Sequence, residues 1–194
     1  MHPFQFYLKL GFEHIADLAG YDHILFLVAL CAVYRIEQWR KILILVTAFT
    51  IGHSVTLVLV SLDIFSIPSK FIKFLIPLTI FLTAIHNVLG SHKTEKTAKM
   101  KRNYAMALFF GLIHGMDFSN YFKALIMDPS DIVIPLLGFN IGIELGQLLI
   151  VFFIVGVAFL FLNILRVKHR DWNLFISGAA AGMSLISLLE NNFW

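Results

Sequence analysis

Histidine and carboxylate side chains recur within or beside the apolar stretches of this 194-residue sequence. An ionisable side chain inside a bilayer costs at least about 2.5 kcal/mol, so such residues indicate function wherever those stretches cross a membrane. Imidazole and carboxylate ligands without thiolates suit zinc, nickel, cobalt, copper(II) or iron(II). On this basis a divalent metal ion is expected as the cofactor, and its predicted ligands are Asp22, His23, His53, His114, Asp117 and Glu144.

The spacing of several of these residues places them on shared helix faces. His114 and Asp117 are three residues apart, as are His14 and Asp17, and residues at this spacing are neighbours on a helix. His14 and Asp17 are predicted to form either a solvated cluster at the outer membrane surface or a point of access or second metal site. The single Cys31 excludes a disulfide framework and a thiolate cluster.

The elements that position these residues are predicted to be transmembrane helices. Hydrophobic residues make up 59% of the chain and charged residues 14%, whereas soluble domains average about 45–50% and about 25%. This composition excludes a soluble enzyme and a disordered chain. The fold class predicted is an all-α integral membrane protein, in which residues 1–194 form a single domain with a bundle of about six transmembrane helices.

Six apolar segments are expected to cross the bilayer, over residues 11–34, 42–62, 70–89, 104–116, 132–165 and 174–189. Most lysines and arginines fall in the first, third and fifth connections, over residues 35–41, 91–103 and 166–171. The positive-inside rule then places these loops in the cytoplasm and both termini outside, in a membrane of the bacterial inner-membrane type. The same placement of the basic residues excludes nucleic-acid binding and leaves the lipid bilayer and the metal ion as partners.

Two segments have unusual lengths. The fourth is short, so residues 117–125 are expected to complete it and to bury Asp117. The fifth is long, so it is predicted to tilt, to extend beyond the bilayer, or to begin with a re-entrant stretch around Pro135. Glycines at four-residue spacing predict close helix packing and a possible homo-oligomer through the same faces. These glycines are Gly111, Gly115, Gly138, Gly142 and Gly146.

Four motifs occur in the first, second, fourth and fifth segments: Gly20-Tyr-Asp22-His23, Thr50-Ile-Gly52-His53-Ser54, Gly111-Leu-Ile-His114-Gly115-Met-Asp117 and Gly138-Phe-Asn140-Ile-Gly142-Ile-Glu144. Together and in this order they resemble the HupE/UreJ-type membrane proteins. The resemblance implies a small polytopic protein of the hydrogenase and urease accessory class, regarded as nickel permeases. It points to Asp22, His23 and His114 as metal ligands, and the subfamily pattern adds His53 and Glu144.

The sequence departs from the better-studied nickel permeases at two places. Those proteins carry another histidine a few residues before the Asp-His pair, where this sequence has Asp17, with His14 farther away. They also tend to carry a second histidine near the one in the fourth helix, where this sequence has Asp117. Both exchanges replace nitrogen by oxygen and leave nickel, cobalt and zinc open as the ion.

Three functions are compatible with these residues. The first is a transporter of divalent transition-metal ions with its site in the outer half of the bundle, and the resemblance favours it. The second is an intramembrane zinc-dependent hydrolase acting on a lipid or peptide. Its general base would be Glu144, Asp22 or Asp117, and Ser54 would orient the water or an oxyanion. The third is a non-catalytic accessory subunit, which requires the histidines to lie on different faces.

Overall fold

The computed structural model describes residues 2–18, 20–64, 67–90, 97–126 and 132–191. Within these ranges every regular element is helical, which confirms the predicted all-α class. The helices are α1 (Pro3–Ala16), α2 (Asp22–Ala32), α3 (Trp39–Ser61), α4 (Ser69–Leu89), α5 (Thr97–Leu125), α6 (Val133–Phe159) and α7 (His169–Glu190). Residues 91–96 and 127–131, in the predicted third and fourth connections, lie outside the described residues.

Four helical stretches of the described chain are long and apolar enough to cross a bilayer. They are Ile36–Ser61, Ser69–Leu89, Val133–Ile164 and His169–Glu190. They match the second, third, fifth and sixth predicted segments and make the chain an integral membrane protein. The predicted count of six spans is thus supported for four, since α2 is short and α5 is not among these stretches.

The first predicted segment, residues 11–34, is two helices and not one. α1 ends at Ala16, where the backbone of Asp17 becomes extended, and α2 begins at Asp22. Gly20 lies in the interval and is a poor helix former. The length of this apolar stretch predicts one continuous spanning helix, because apolar composition alone does not reveal a break between two shorter helices.

α5 and α6 also differ from their predicted forms. α5 continues to Leu125 as expected, but the side chain of Asp117 is exposed and not buried. α6 begins at Val133, so Pro135 lies in its first turn, where its missing N–H breaks no helical hydrogen bond. From Val133 onward the described chain is therefore continuously helical through Pro135, and the tilt or re-entry of this segment stays a prediction. Beyond Phe159 a π-helical turn, Leu160–Ile164, extends the helix.

Glycines bring α1 and α6 into backbone contact. A Cβ atom added to Gly11 would lie 2.1 Å from the Phe139 carbonyl oxygen, and one added to Gly142 would lie 2.1 Å from that of Leu8. The contacts advance along both helices in the same direction, so α1 and α6 are parallel. The close-packing face predicted for the fifth segment therefore exists, and α1 occupies it.

The same arrangement joins α3 and α5. A Cβ atom added to Gly52 would lie 2.1 Å from the Leu108 carbonyl oxygen, and one added to Gly111 would lie 2.1 Å from that of Phe49. Gly115 extends the contact by one turn. An interface between copies is predicted at these two glycine faces. In the structure other helices of the same chain cover both faces, so association of copies stays a prediction.

Replacing Gly52 by alanine is expected to lower thermal stability, because the added Cβ meets the Leu108 carbonyl oxygen unless α3 and α5 separate. Overpacking of this kind costs about 1–3 kcal/mol. Gly178→Ala in α7 is the matched control, since a Cβ atom there meets nothing within 4 Å. Unfolding midpoints of the two variants in detergent provide the measurement, and equal midpoints would contradict the close contact.

Candidate metal centre

Four histidines from four helices lie next to one another, and we call them the histidine cluster: His14 of α1, His23 of α2, His53 of α3 and His114 of α5. The ring centroid of His23 is 4.8 Å from that of His14 and 5.3 Å from that of His114. The His53 ring is 5.9 Å from that of His14. His14 is half-buried and the other three are buried, so the cluster lies inside the bundle.

Three members of the cluster have the spacing of metal ligands. His14, His23 and His53 each offer a ring nitrogen, and these atoms lie within 4.8 Å of one another. Three nitrogens bound to one tetrahedral zinc lie about 3.4 Å apart, so a small inward movement of the rings would complete that geometry. The His114 ring adjoins that of His23 and could supply a fourth nitrogen.

The ring nitrogens of the cluster are poorly hydrogen-bonded. In the described structure the Nε2 atom of each of the four histidines is buried without a partner, and His53 has none on Nδ1 either. A buried polar atom left without a partner costs about 1–3 kcal/mol. The Nδ1 atom of His114 lies 2.9 Å from the Phe110 carbonyl oxygen. The neutral tautomer that fits this contact protonates Nδ1 and leaves the lone pair on Nε2.

His14 belongs to the cluster because the chain breaks between α1 and α2. On one continuous helix His14 and His23 would be about 13 Å apart, too far to share an ion. The break leaves α1 against α6 and starts α2 beside it, so that the two rings become neighbours. From the sequence, His14 is predicted at the outer surface, or at a point of access or second metal site. Gly20 was the signal that could have indicated the break.

Phenylalanine rings surround the histidine cluster. The Phe118 centroid lies 4.0 Å from that of His14, and the Phe49 centroid lies 5.1 Å from that of His114. Phe26 stacks on Phe49 at 4.9 Å on the side of the cluster that leads toward the end of α2. These rings surround the buried side of the cluster with apolar atoms and lower the local dielectric there, which strengthens charge interactions.

The predicted carboxylates do not join the histidines. Among the described residues, no aspartate or glutamate belongs to a group with metal-ligand spacing. The Glu144 carboxylate accepts a hydrogen bond from the Thr47 hydroxyl at 2.7 Å. One turn farther along α6, buried Gln147 accepts one from Thr50 at 2.6 Å. Glu144 therefore contributes to a polar contact between α3 and α6.

Three aspartates lie near the cluster, and we call Asp17, Asp22 and Asp117 the acidic rim. Asp22 is half-buried and Asp117 exposed, and their charges are close enough to repel each other. Asp17 interacts electrostatically with His14, and both line an open cleft on one side of α1. The rim therefore places negative charge beside an exposed approach to the cluster.

Ser54, the residue predicted to orient a reacting water or an oxyanion, is bonded within its own helix. Its hydroxyl donates to the Thr50 carbonyl oxygen at 2.7 Å. This is the common contact of a serine with the carbonyl four residues earlier, and it leaves the hydroxyl proton committed to α3. The hydrogen bond of the Ser54 hydroxyl therefore lies within α3.

Changing His14, His23 or His53 singly to alanine is expected to raise the dissociation constants for Ni²⁺, Co²⁺ and Zn²⁺ by more than about 100-fold. Loss of a residue that only supports a ligand already lowers metal affinity by about 10–100-fold, and loss of a ligand should lower it further. His86→Ala is the control, because His86 lies outside the cluster beside Arg102. Calorimetric titration of purified protein measures the constants. Unchanged binding in the three cluster variants would show that these histidines do not hold the ion.

A protein-family model described as HupE / UreJ protein matches residues 1–191. No match was found among the curated proteins or the solved structures. The matched range contains the seven α-helices of the described residues and every residue of the histidine cluster and the acidic rim. The chain therefore belongs to the HupE/UreJ family.

Proposed function

We propose that the protein transports divalent transition-metal ions and that the histidine cluster is the site through which the ion passes. The observation that carries this proposal is the convergence of buried, unbonded imidazole nitrogens from α1, α2, α3 and α5. Imidazole donors suit nickel, cobalt and zinc and are poor ligands for magnesium and calcium. The nickel-permease role implied by the family resemblance supports the same class of cargo.

Two features of the histidine cluster favour a site that releases its ion. Neutral imidazoles do not offset the charge of a divalent cation, so the ion is held less firmly than it would be with a carboxylate in the group. Histidines at metal sites almost always hold their second nitrogen in a hydrogen bond, and His53 has no such bond. Because no hydrogen bond holds either of its nitrogens, His53 lacks the second partner that strengthens a permanent metal ligand.

The acidic rim supports transport by attracting the cargo. Negative groups at the mouth of a cleft raise the local concentration of cations and the rate at which they bind. The rim is partly balanced by Lys73, which interacts with Asp117. We propose that the ion enters on the side of the rim and leaves toward the end of α2, where the positive-inside rule places the cytoplasm.

The hydrolase alternative has less support from the side chains. A zinc hydrolase needs a base within reach of the metal-bound water. Glu144 is instead bonded to Thr47, and Ser54 to its own helix. Asp22 and Asp117 remain as carboxylates near the cluster but outside its ligand spacing. Metal retained in one-to-one ratio through purification with a chelator would favour the hydrolase.

A purely structural role for the histidines also has less support. Polar side chains hold a membrane bundle together by bonding across helices, as Thr50 and Gln147 do. In the described structure the four Nε2 atoms of the cluster and Nδ1 of His53 make no such bonds, so they cost stability. Their convergence in one place is better explained by a ligand than by a contribution to packing.

Purified protein in liposomes that enclose a metal-sensitive dye is expected to admit Ni²⁺, Co²⁺ or Zn²⁺. Uptake should fall at least about tenfold in His53→Ala, because the ion loses a ligand from α3. His86→Ala is expected to match the wild type. If none of the three ions enters although all bind, the transport proposal is wrong and the binding site has another purpose.

Charge removal at the acidic rim is expected to slow uptake without abolishing it. Asp22→Asn or Asp117→Asn should each lower the initial rate by about threefold at low ionic strength, from the lost Coulomb attraction. The difference should disappear in about 1 M salt, where the Debye length is about 3 Å. Asp171→Asn, at the start of α7, is the control. A loss that persists in high salt would mean that the aspartate is a ligand.

A further inference from the structure

An apolar cavity lies at the end of α2 that is farther from the histidine cluster. Its volume is about 240 Å³, and residues of α2, α3, α6 and α7 enclose it. Ala32 and Ala158 leave the space open, and Trp172 forms one wall. Water does not fill a cavity lined in this way. An empty one would leave its lining atoms without dispersion contacts. In a bilayer the apolar material at hand is a lipid acyl chain.

The rim of this cavity is basic. Arg35 lines the cavity and also lines an adjoining polar cleft together with Glu37, Asn163 and His169. Three more basic residues are exposed in or beside the connection from α6 to α7: Arg166, Lys168 and Arg170. Glu37 and Asp171 are the acidic residues of these two connections, so positive charge is in excess there.

The end of α6 is shaped so that the connection from α6 to α7 borders the polar cleft lined by Arg35. The helix changes to a π-helical turn over Leu160–Ile164, and Arg166 then takes a left-handed backbone with φ 57°. The chain leaves the helix within two residues, and Val167 lines the same cleft as Asn163. π-helical turns are frequent at functional sites, and this one adjoins the basic rim.

A nearby tryptophan marks the level of the lipid headgroups. Trp39, at the start of α3, is 51% exposed, and the Arg40 guanidinium lies 5.3 Å from the centre of its ring. Exposed tryptophans are enriched where the bilayer meets water. Arg35 is one turn earlier in the sequence, so the cavity opens at the depth where a lipid phosphate lies.

We propose that this cavity holds an acyl chain of an anionic phospholipid whose phosphate pairs with Arg35. A guanidinium binds phosphate oxygens in a two-pronged geometry, and basic pockets between transmembrane helices bind anionic headgroups. A zwitterionic lipid offers the same chain with no net charge, so charge sets the preference. The site is separate from the histidine cluster and does not depend on the transport proposal.

Trp172 can report on the occupant of this cavity. The chain has three tryptophans, and replacing Trp39 and Trp194 by phenylalanine leaves Trp172 alone in the cavity wall. The full-length protein in detergent is titrated with phosphatidylglycerol brominated on its acyl chains, because bromine quenches tryptophan fluorescence on contact. Half-maximal quenching is expected at about fivefold lower concentration than with brominated phosphatidylcholine.

Two variants separate the headgroup from the chain. Arg35→Gln is expected to remove the preference for phosphatidylglycerol and to keep the quenching. Ala158→Phe is expected to fill the cavity and abolish quenching by both lipids. Arg40→Gln, at the basic residue stacked on position 39, is the control and should keep the preference. Metal binding at the histidine cluster should be unchanged in Arg35→Gln.

Equal quenching by the two lipids in the parent protein, or a preference that survives Arg35→Gln, would overturn the assignment of the phosphate. Quenching that persists in a folded Ala158→Phe protein would overturn the assignment of the chain. No quenching by either lipid would mean that no phospholipid acyl chain enters the cavity, and the proposal would be wrong. Arg35 is exposed, so the Arg35→Gln protein should fold. If the Ala158→Phe protein does not fold, the lipid preference of Arg35→Gln still tests the proposal.

Discussion

Direct contact between helix backbones at four glycines is the constraint on which the arrangement of the histidines depends. Gly11 and Gly142 join α1 to α6, and Gly52 and Gly111 join α3 to α5. Between helices in lipid there is little hydrophobic driving force, so close packing at small residues supplies much of the attraction. Three of the four cluster histidines lie on these joined helices. The positions of their rings are thereby set by backbone geometry.

Polar contacts between α3 and α6 connect the two joined pairs. The Thr50 hydroxyl and Gln147 are both buried and bond to each other, and Thr47 bonds to Glu144 one turn away. Such bonds between membrane helices contribute about 0.6 kcal/mol on average, so their main effect here is to fix one helix relative to the other. Glu144, which the sequence predicts as a metal ligand, thus helps to hold the helices around the cluster.

The sequence was sufficient for the helical class, for four spans and for the glycine faces, because apolar run length and residue spacing determine these locally. It also placed His23, His53 and His114 at similar depth. Depth is only one coordinate, and rotation about the helix axis depends on neighbours that the sequence does not identify. The sequence predicts similar depths for Glu144 and His53, yet the Glu144 carboxylate bonds to Thr47. The membership of His14 in the cluster was not predicted for another reason, since it follows from a chain break that apolar composition conceals.

The pairing of α1 with α6 sets a limit on when the histidine cluster can be completed during synthesis. α1 is synthesised first, and four helices are made before its partner appears. α3 and α5 are separated by α4 alone, so His53 and His114 can come together while α1 still lacks its binding surface. The contact that positions His14 can therefore form only after α6 has been made. An unfinished chain has an incomplete set of nitrogens, and the capacity to capture an ion arises only when most of the protein is in the membrane.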